Sequence, residues 1–278
     1  RAKPLEPILD QFGLVLVSAS EQKDPWQGRS TVAITLKIMA KAFSAEDDTV
    51  VNIIKFLVDD GGLVDREPIV RQEMKEAGVE LITLHGSQNS KDLIPIFEEA
   101  LSSSTDSALK ENVIILYGTL ARHLQQSDAR IHTIIERLLS TLDTPSADIQ
   151  QAVSACIAPL VFQFKQKVGD YLGILMEKLL NPTVASSMRK GAAWGIAGLV
   201  KGYGISALSE FDIIRNLIEA AEDKKEPKRR ESVGFCFQYL SESLGKFFEP
   251  YVIEILPNIL KNLGDAVPEV RDATARAT

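Results

Sequence analysis

A period of about 40 residues constrains this chain more than any other feature. Arg29, Arg71, Lys110, Gln150, Arg189, Arg230 and Arg271 stand at intervals of 39 to 42 residues. Ten residues after the first six of these anchors come Met39, Leu81, Leu120, Leu160, Leu199 and Leu240, every one apolar. Three residues after the anchors stand Val32, Met74, Val113, Val153, Ala192, Val233 and Thr274. Six after them the side chains are mostly small: Thr35, Ala77, Leu116, Cys156, Gly195, Cys236 and Ala277. Offsets of three, six and ten fall on one face of a helix with 3.6 residues per turn. Each anchor therefore opens a helix whose inner face is written in the same way. A unit of this length holds two helices and buries its apolar face by stacking on its neighbours.

The pattern predicts an all-α fold, a HEAT/armadillo-like α-solenoid of antiparallel helix pairs, with about seven repeats of about 40 residues. The repeats are expected at approximately 3–43, 44–86, 87–125, 126–164, 165–204, 205–245 and 246–278, one continuous solenoid over 1–278. Arg1 is not an initiator Met, and Thr278 falls inside an expected second helix, so the chain reads as an interior piece of a longer solenoid. Turn chemistry agrees with the frame. Asp24 and Pro25, with Gln27 behind them, read as a helix start. Gly61–Gly62 ends a helix and Pro68 begins the next. Ser102–Asp106, Asn181–Pro182 and the charged stretch EDKKEPKRR mark later turns. Pro159 and Pro257 fall inside helices and predict kinks. In MRKGAAWGIAGLVKGYG, residues 188–204, the glycines predict close approach of another backbone, and Trp194 is placed at an inter-repeat contact.

Composition narrows the function classes. The formal net charge of −7 argues against a general nucleic-acid-binding surface. No apolar run reaches the ~18 residues of a membrane span. Cys156 and Cys236 occupy the same repeat position two repeats apart, too far for a disulfide, and read as small buried thiols. Four SxxK matches, at Ser20, Ser107, Ser187 and Ser243, lack companion motifs and fall at turns and helix ends. His85, His123 and His132 have no metal-ligand spacing and are expected at helix ends or on the surface. Asp47–Asp48 and Asp59–Asp60 read as solvated helix ends. The reading is a non-enzymatic scaffold with no cofactor and no metal site.

RKGAAWGIAGLVKG and RRESVGFCFQYLSESLGKFFEPYVIEILPNILKNLGD carry a more specific likeness. They resemble the central region of the large general-control translational activators, a HEAT-repeat family, which is itself similar to the HEAT domain of fungal elongation factor 3. The likeness is strongest from about residue 185 to 273. It implies a cytoplasmic, ribosome-associated scaffold that works with an ABC-type partner protein. It also implies help in activating the initiation-factor-2α kinase on amino-acid starvation or ribosome stalling, with the kinase bound through a more C-terminal region. Alternatives are the HEAT domain of an elongation-factor-3-like ABC translation ATPase, or a transport or phosphatase scaffold of the karyopherin type.

The anchors Arg29, Arg71, Lys110, Arg189, Arg230 and Arg271 are expected along one rim, tying adjacent turns to a neighbouring Asp or facing a partner. Local charge favours a partner near Arg189. No acid occurs between Lys178 and Ser209, and the next turn is rich in lysine and arginine. Arg189, Lys190, Lys201, Lys224, Lys225, Lys228, Arg229 and Arg230 are thus read as a basic patch suited to rRNA phosphates or acidic ribosomal proteins.

Overall fold

The computed structural model describes residues 26–43, 48–59, 61–125 and 128–278, and no strand occurs among them. The expected helix start at Asp24–Pro25 and the first helix of repeat one lie outside these residues, as do Ser20, Asp47 and Asp60. The chain forms two compact units, Arg1–Gln125 and Gln126–Thr278.

The first unit holds α1 (Trp26–Met39), α2 (Thr49–Asp59), α3 (Pro68–Ser103) and α4 (Ser107–Ala121). Gly61, at φ 92°, breaks the chain after α2, and Pro68 opens α3. Asp106 caps α4 by accepting hydrogen bonds from the backbone N–H groups of Ala108 and Leu109. The face of α1 differs from the expected one by a residue. Ser30, Ala33, Leu36 and Ala40 are buried, while Met39 is 42% exposed. His85 fixes that register, its Nε2 lying 2.7 Å from the carbonyl oxygen of Ala40. It is therefore a buried tie in mid-helix, not a surface or helix-end residue.

The expected repeat boundary at residue 86 is not a loop, because α3 runs through it. Yet Gly78 packs on Leu116 of α4 while the Phe97 ring lies 5.7 Å from that of Tyr117. A straight helix would separate residues 78 and 97 by about 28 Å, so α3 is bent between them. Pro95, with no N–H to offer, lies in the second limb. The boundary survives as a change of helix direction.

The second unit is a regular stack. Its first helices are α5 (Arg130–Thr141), α7 (Val168–Leu180), α9 (Ile213–Ala221) and α11 (Glu249–Leu263). Its second helices are α6 (Ala147–Ile157), α8 (Ser186–Tyr203), α10 (Pro227–Leu244) and α12 (Pro268–Ala275). The first helices bury residues at one shared register: Ile131, Ile134 and Leu138; Leu172, Leu175 and Leu179; Ile214, Leu217 and Ala221; Ile255, Asn258 and Asn262. Pro159 does not kink an α-helix: α6 ends at Ile157, and Ala158–Gln163 continue as a 3-10 helix. That tighter turn suits a residue that cannot donate to the α-helical ladder. Pro257 does lie inside α11.

Helix α8 is buried from Gly191 to Val200. A Cβ on Gly191 would sit 1.9 Å from the Leu142 carbonyl oxygen, and one on Gly202 would sit 2.1 Å from that of Ala158. The glycines thus let α8 lie against backbone of the preceding repeat. On the opposite side Trp194 stacks on Tyr239 of α10, ring centroids 4.1 Å apart and planes 12° from parallel. Ser154 donates to the Trp194 carbonyl at 2.7 Å, closing a backbone group between neighbouring second helices. Cys156 and Cys236 are both buried, and no disulfide joins them. Burial pushes the Cys236 thiol far above the usual cysteine range, which leaves it unreactive.

Candidate functional site

The anchors open the second helices, so their side chains meet the turns of their own repeat and of the next. Those turns share a local device. Asp65, Ser104, Thr144, Asp223 and Asp265 each accept a hydrogen bond from the backbone N–H two residues on. A side-chain oxygen of this kind stabilises a tight turn and leaves other lone pairs for a neighbour.

Arginine uses those lone pairs. Arg29 donates to both carboxylate oxygens of Asp65, at 2.5 and 2.9 Å. Arg230 does the same to Asp265, at 2.7 and 3.0 Å. The next anchor closes each knot. Arg71 donates to the carbonyls of Asp65 and Arg66, and Arg271 to those of Asp265 and Ala266. One arrangement therefore recurs in both units. Arg230 holds the Asp265 carboxyl below the usual carboxylate range, and the same bond raises the Arg230 guanidinium further.

The middle anchors vary the theme. Gln150 shares the two N–H groups of Nε2 among the carbonyls of Thr144, Ser187 and, at a longer 3.2 Å, Leu142. Arg189 donates to the Lys228 carbonyl and the Ser232 hydroxyl at 2.6 Å, and to Glu231 at 2.7 Å. Its side chain is 2% exposed. Arg189 is therefore a buried bolt between α8 and α10, with no guanidinium face turned to a partner.

The other residues of the sequence-read patch divide in the same way. Arg230 is spent on Asp265, and Arg229 turns onto Asp223 at 2.9 Å. Lys201 is exposed, but it lies 12 residues after Arg189 on α8. That is about 18 Å along the axis, at the other end of the helix. Four cations remain together on the rim. Lys224 and Lys225 are exposed on the turn before α10. Lys228 reaches back to the Pro182 carbonyl at 2.9 Å, and the Lys190 ammonium lies 5.0 Å from the Phe235 ring centroid. Glu222 and Glu226 are the exposed acids of the same turn, so the local balance is positive. The sequence leads to a neighbouring Asp as acceptor but does not single out Asp65 or Asp265, and it does not point to Glu231. A signal was present: Asp65 and Asp265 each stand six residues before an anchor.

Among the described residues no group of three or more His, Cys, Asp or Glu could hold a metal ion, and no helix is long and apolar enough to cross a membrane. Stacked helix pairs, a stapled turn rim and a cationic edge on it define a HEAT-repeat scaffold. Residues 1–122 match the family model described as the HEAT repeats of the stalled ribosome sensor GCN1, and residues 189–278 match that of the EF3 N-terminal HEAT repeat. The chain is 37% identical over 271 residues to "Stalled ribosome sensor GCN1" of Homo sapiens, covering 96% of this chain and 10% of that protein. It is likewise 37% identical to "Protein ILITYHIA" of Arabidopsis thaliana, over 94% of this chain and 10% of the relative. The figure is again 37% for "eIF-2-alpha kinase activator GCN1" of Dictyostelium discoideum, over 92% of this chain and 10% of the relative. The chain belongs to the GCN1 family, and it spans about a tenth of the length of these relatives.

Proposed function

We propose that this chain is a non-enzymatic, ribosome-facing scaffold segment in translational stress control. The observation that carries the reading is its 37% identity, over nearly its whole length, to a protein named as a stalled ribosome sensor. The name of the Dictyostelium discoideum relative supports a role in activating the initiation-factor-2α kinase. The cytoplasm is the compartment that suits both roles. The match of residues 189–278 to an elongation-factor-3 HEAT repeat supports an ABC-type partner for the second unit. Direct kinase contact is assigned to regions of the whole protein beyond this segment.

Within the segment, the ribosome-facing groups are Lys190, Lys224, Lys225 and Lys228. Arg189, Arg229 and Arg230 support the turns that present them, and Lys201 stands apart. Lysines on a rim suit rRNA phosphates or acidic ribosomal proteins. Attraction to phosphate is steep in salt, each neutralised charge adding about 0.7 to 0.9 to the log–log slope on nucleic acid. The test is ribosome cosedimentation of the full-length protein carrying Lys190→Glu, Lys224→Glu, Lys225→Glu and Lys228→Glu. Weakened cosedimentation with an unchanged melting midpoint is expected, and the weakening should shrink as salt is raised. Unchanged cosedimentation at physiological salt would remove the rim from the interface.

A further inference from the structure

The outward face of the first helices in the second unit carries a different surface. The shared buried register fixes which positions point away from the core. In the first helix of the unit these are Ala129, His132 and Glu136, all exposed. In α7 they are Asp170, Gly173 and Glu177, again exposed. In α9 they are Arg215 and Glu219, and Asp212 just before the helix pairs with Arg215 at 2.9 Å, with 65% of the Arg215 side chain and 51% of the Asp212 side chain open to solvent. Each of these helices has a following repeat stacked on it, so stacking leaves this face uncovered. In α11 the same three positions are Ile253, Leu256 and Leu260, and they are 80%, 43% and 61% exposed. Another repeat stacked in the same manner would leave them exposed too. A polar, solvent-facing row has become apolar in one repeat.

The first helices lie side by side. His132 bonds Tyr171 at 3.2 Å, Gly169 packs on Phe211 just before α9, and Tyr251 of α11 reaches Ser209 at 3.3 Å. The apolar stripe therefore continues into a row holding Glu136, Asp170, Glu177, Asp212 and Glu219 against Arg215, with the Lys167 ammonium 3.1 Å from His132 Nε2. We infer that this face docks a basic amphipathic helix of a protein partner. Its apolar side chains would cover Ile253, Leu256 and Leu260, and its lysines or arginines would lie along the acidic row. Apolar anchors at helical spacing supply affinity, and the charges set orientation. This surface is made by the first helices and is separate from the lysine rim, so either assignment can fail without the other.

The experiment measures binding of the full chain to fluorescent helical peptides by anisotropy. One peptide of about 18 residues, five turns, carries a leucine stripe flanked by lysine and arginine. A second carries the same stripe flanked by glutamate. The basic peptide is expected to bind at least about tenfold more tightly, a 1.4 kcal/mol preference, and to weaken as salt rises. Leu256→Asp with Leu260→Asp should lose at least about tenfold, as anchor substitutions do. Glu177→Lys with Glu219→Lys should remove the preference for the basic peptide. All four positions are exposed, so an unchanged melting midpoint verifies folding. Equal binding of both peptides, no binding, or wild-type binding by the Leu256/Leu260 variant would overturn the assignment. So would concentration-dependent dimerisation abolished by that variant, which would make the occupant a second copy.

Discussion

Arg189 and Asp265 show how one residue can carry a rim. A guanidinium out of water is tolerated when each N–H finds an acceptor, and Arg189 finds a carbonyl, a hydroxyl and a carboxylate on α10. The repeat frame made this residue visible in the sequence, since seven anchors recur at nearly constant spacing. Its direction was not visible. Whether an anchor faces solvent or a neighbour depends on the acceptor some 35 to 42 residues on, such as Asp65 for Arg29 or Glu231 for Arg189. A charge count along the chain cannot see that pairing. Asp265 gives the check at this scale. Its carboxyl is held down mainly by the hydrogen bond from Arg230, so it contributes stability that is present above the unfolded aspartate value of about 3.9. That stability is lost as pH falls through the lower folded value. Urea midpoints of wild type and Asp265→Asn should therefore differ at pH about 6 and converge well below pH about 4. A gap that persists at low pH would mean that Asp265 acts through its turn hydrogen bond to Val267, not through its charge.

At the scale of elements, α8 shows what small residues do in a stack. Its propensity for helix is poor, since each glycine costs roughly 1 kcal/mol against alanine in an exposed helix. Packing overrides that cost at Gly191 and Gly202, where a Cβ would strike backbone oxygen. At Gly195, the small position singled out by the repeat frame, a Cβ would first meet the leucine side chains of Leu142 and Leu175. Side chains can yield where backbone cannot, so the sequence located the close approach but not its tightest points. Gly173 in α7 is the control, with nothing within 4 Å of its Cβ position. Gly191→Ala and Gly202→Ala should each destabilise, by about 1–3 kcal/mol as overpacking does. Gly173→Ala should stabilise by about 0.4–1 kcal/mol, because the helix gains propensity and nothing must move. Chemical denaturation of the three variants decides the matter. A stabilising Gly191→Ala would mean that α8 can shift away from the Leu142 turn at no cost.

For the molecule as a whole, the second unit behaves as a one-dimensional array. Each repeat finds its partners in the next, through knots such as Arg230 with Asp265 and through stacked rings such as Trp194 with Tyr239. The helix-pair architecture was legible because it is periodic, and periodicity survives in a string of residues. The bend inside α3 and the 3-10 segment after α6 were not, because each replaces a regular boundary with local geometry that the frame does not encode. Trp194 tests how far coupling travels. It is 7% exposed and shared between α8 and α10, so Trp194→Ala removes a buried ring and leaves Tyr239 without its stacking partner. The expected cost is about 3–5 kcal/mol. In an array with nearest-neighbour coupling, amide exchange should quicken most in α8 and α10 and next in α6 and α7. Helix α12 packs on α10 as α6 packs on α8, so it should lose protection alongside α6. Equal loss of protection from α5 through α12 would show a single cooperative block instead of an array.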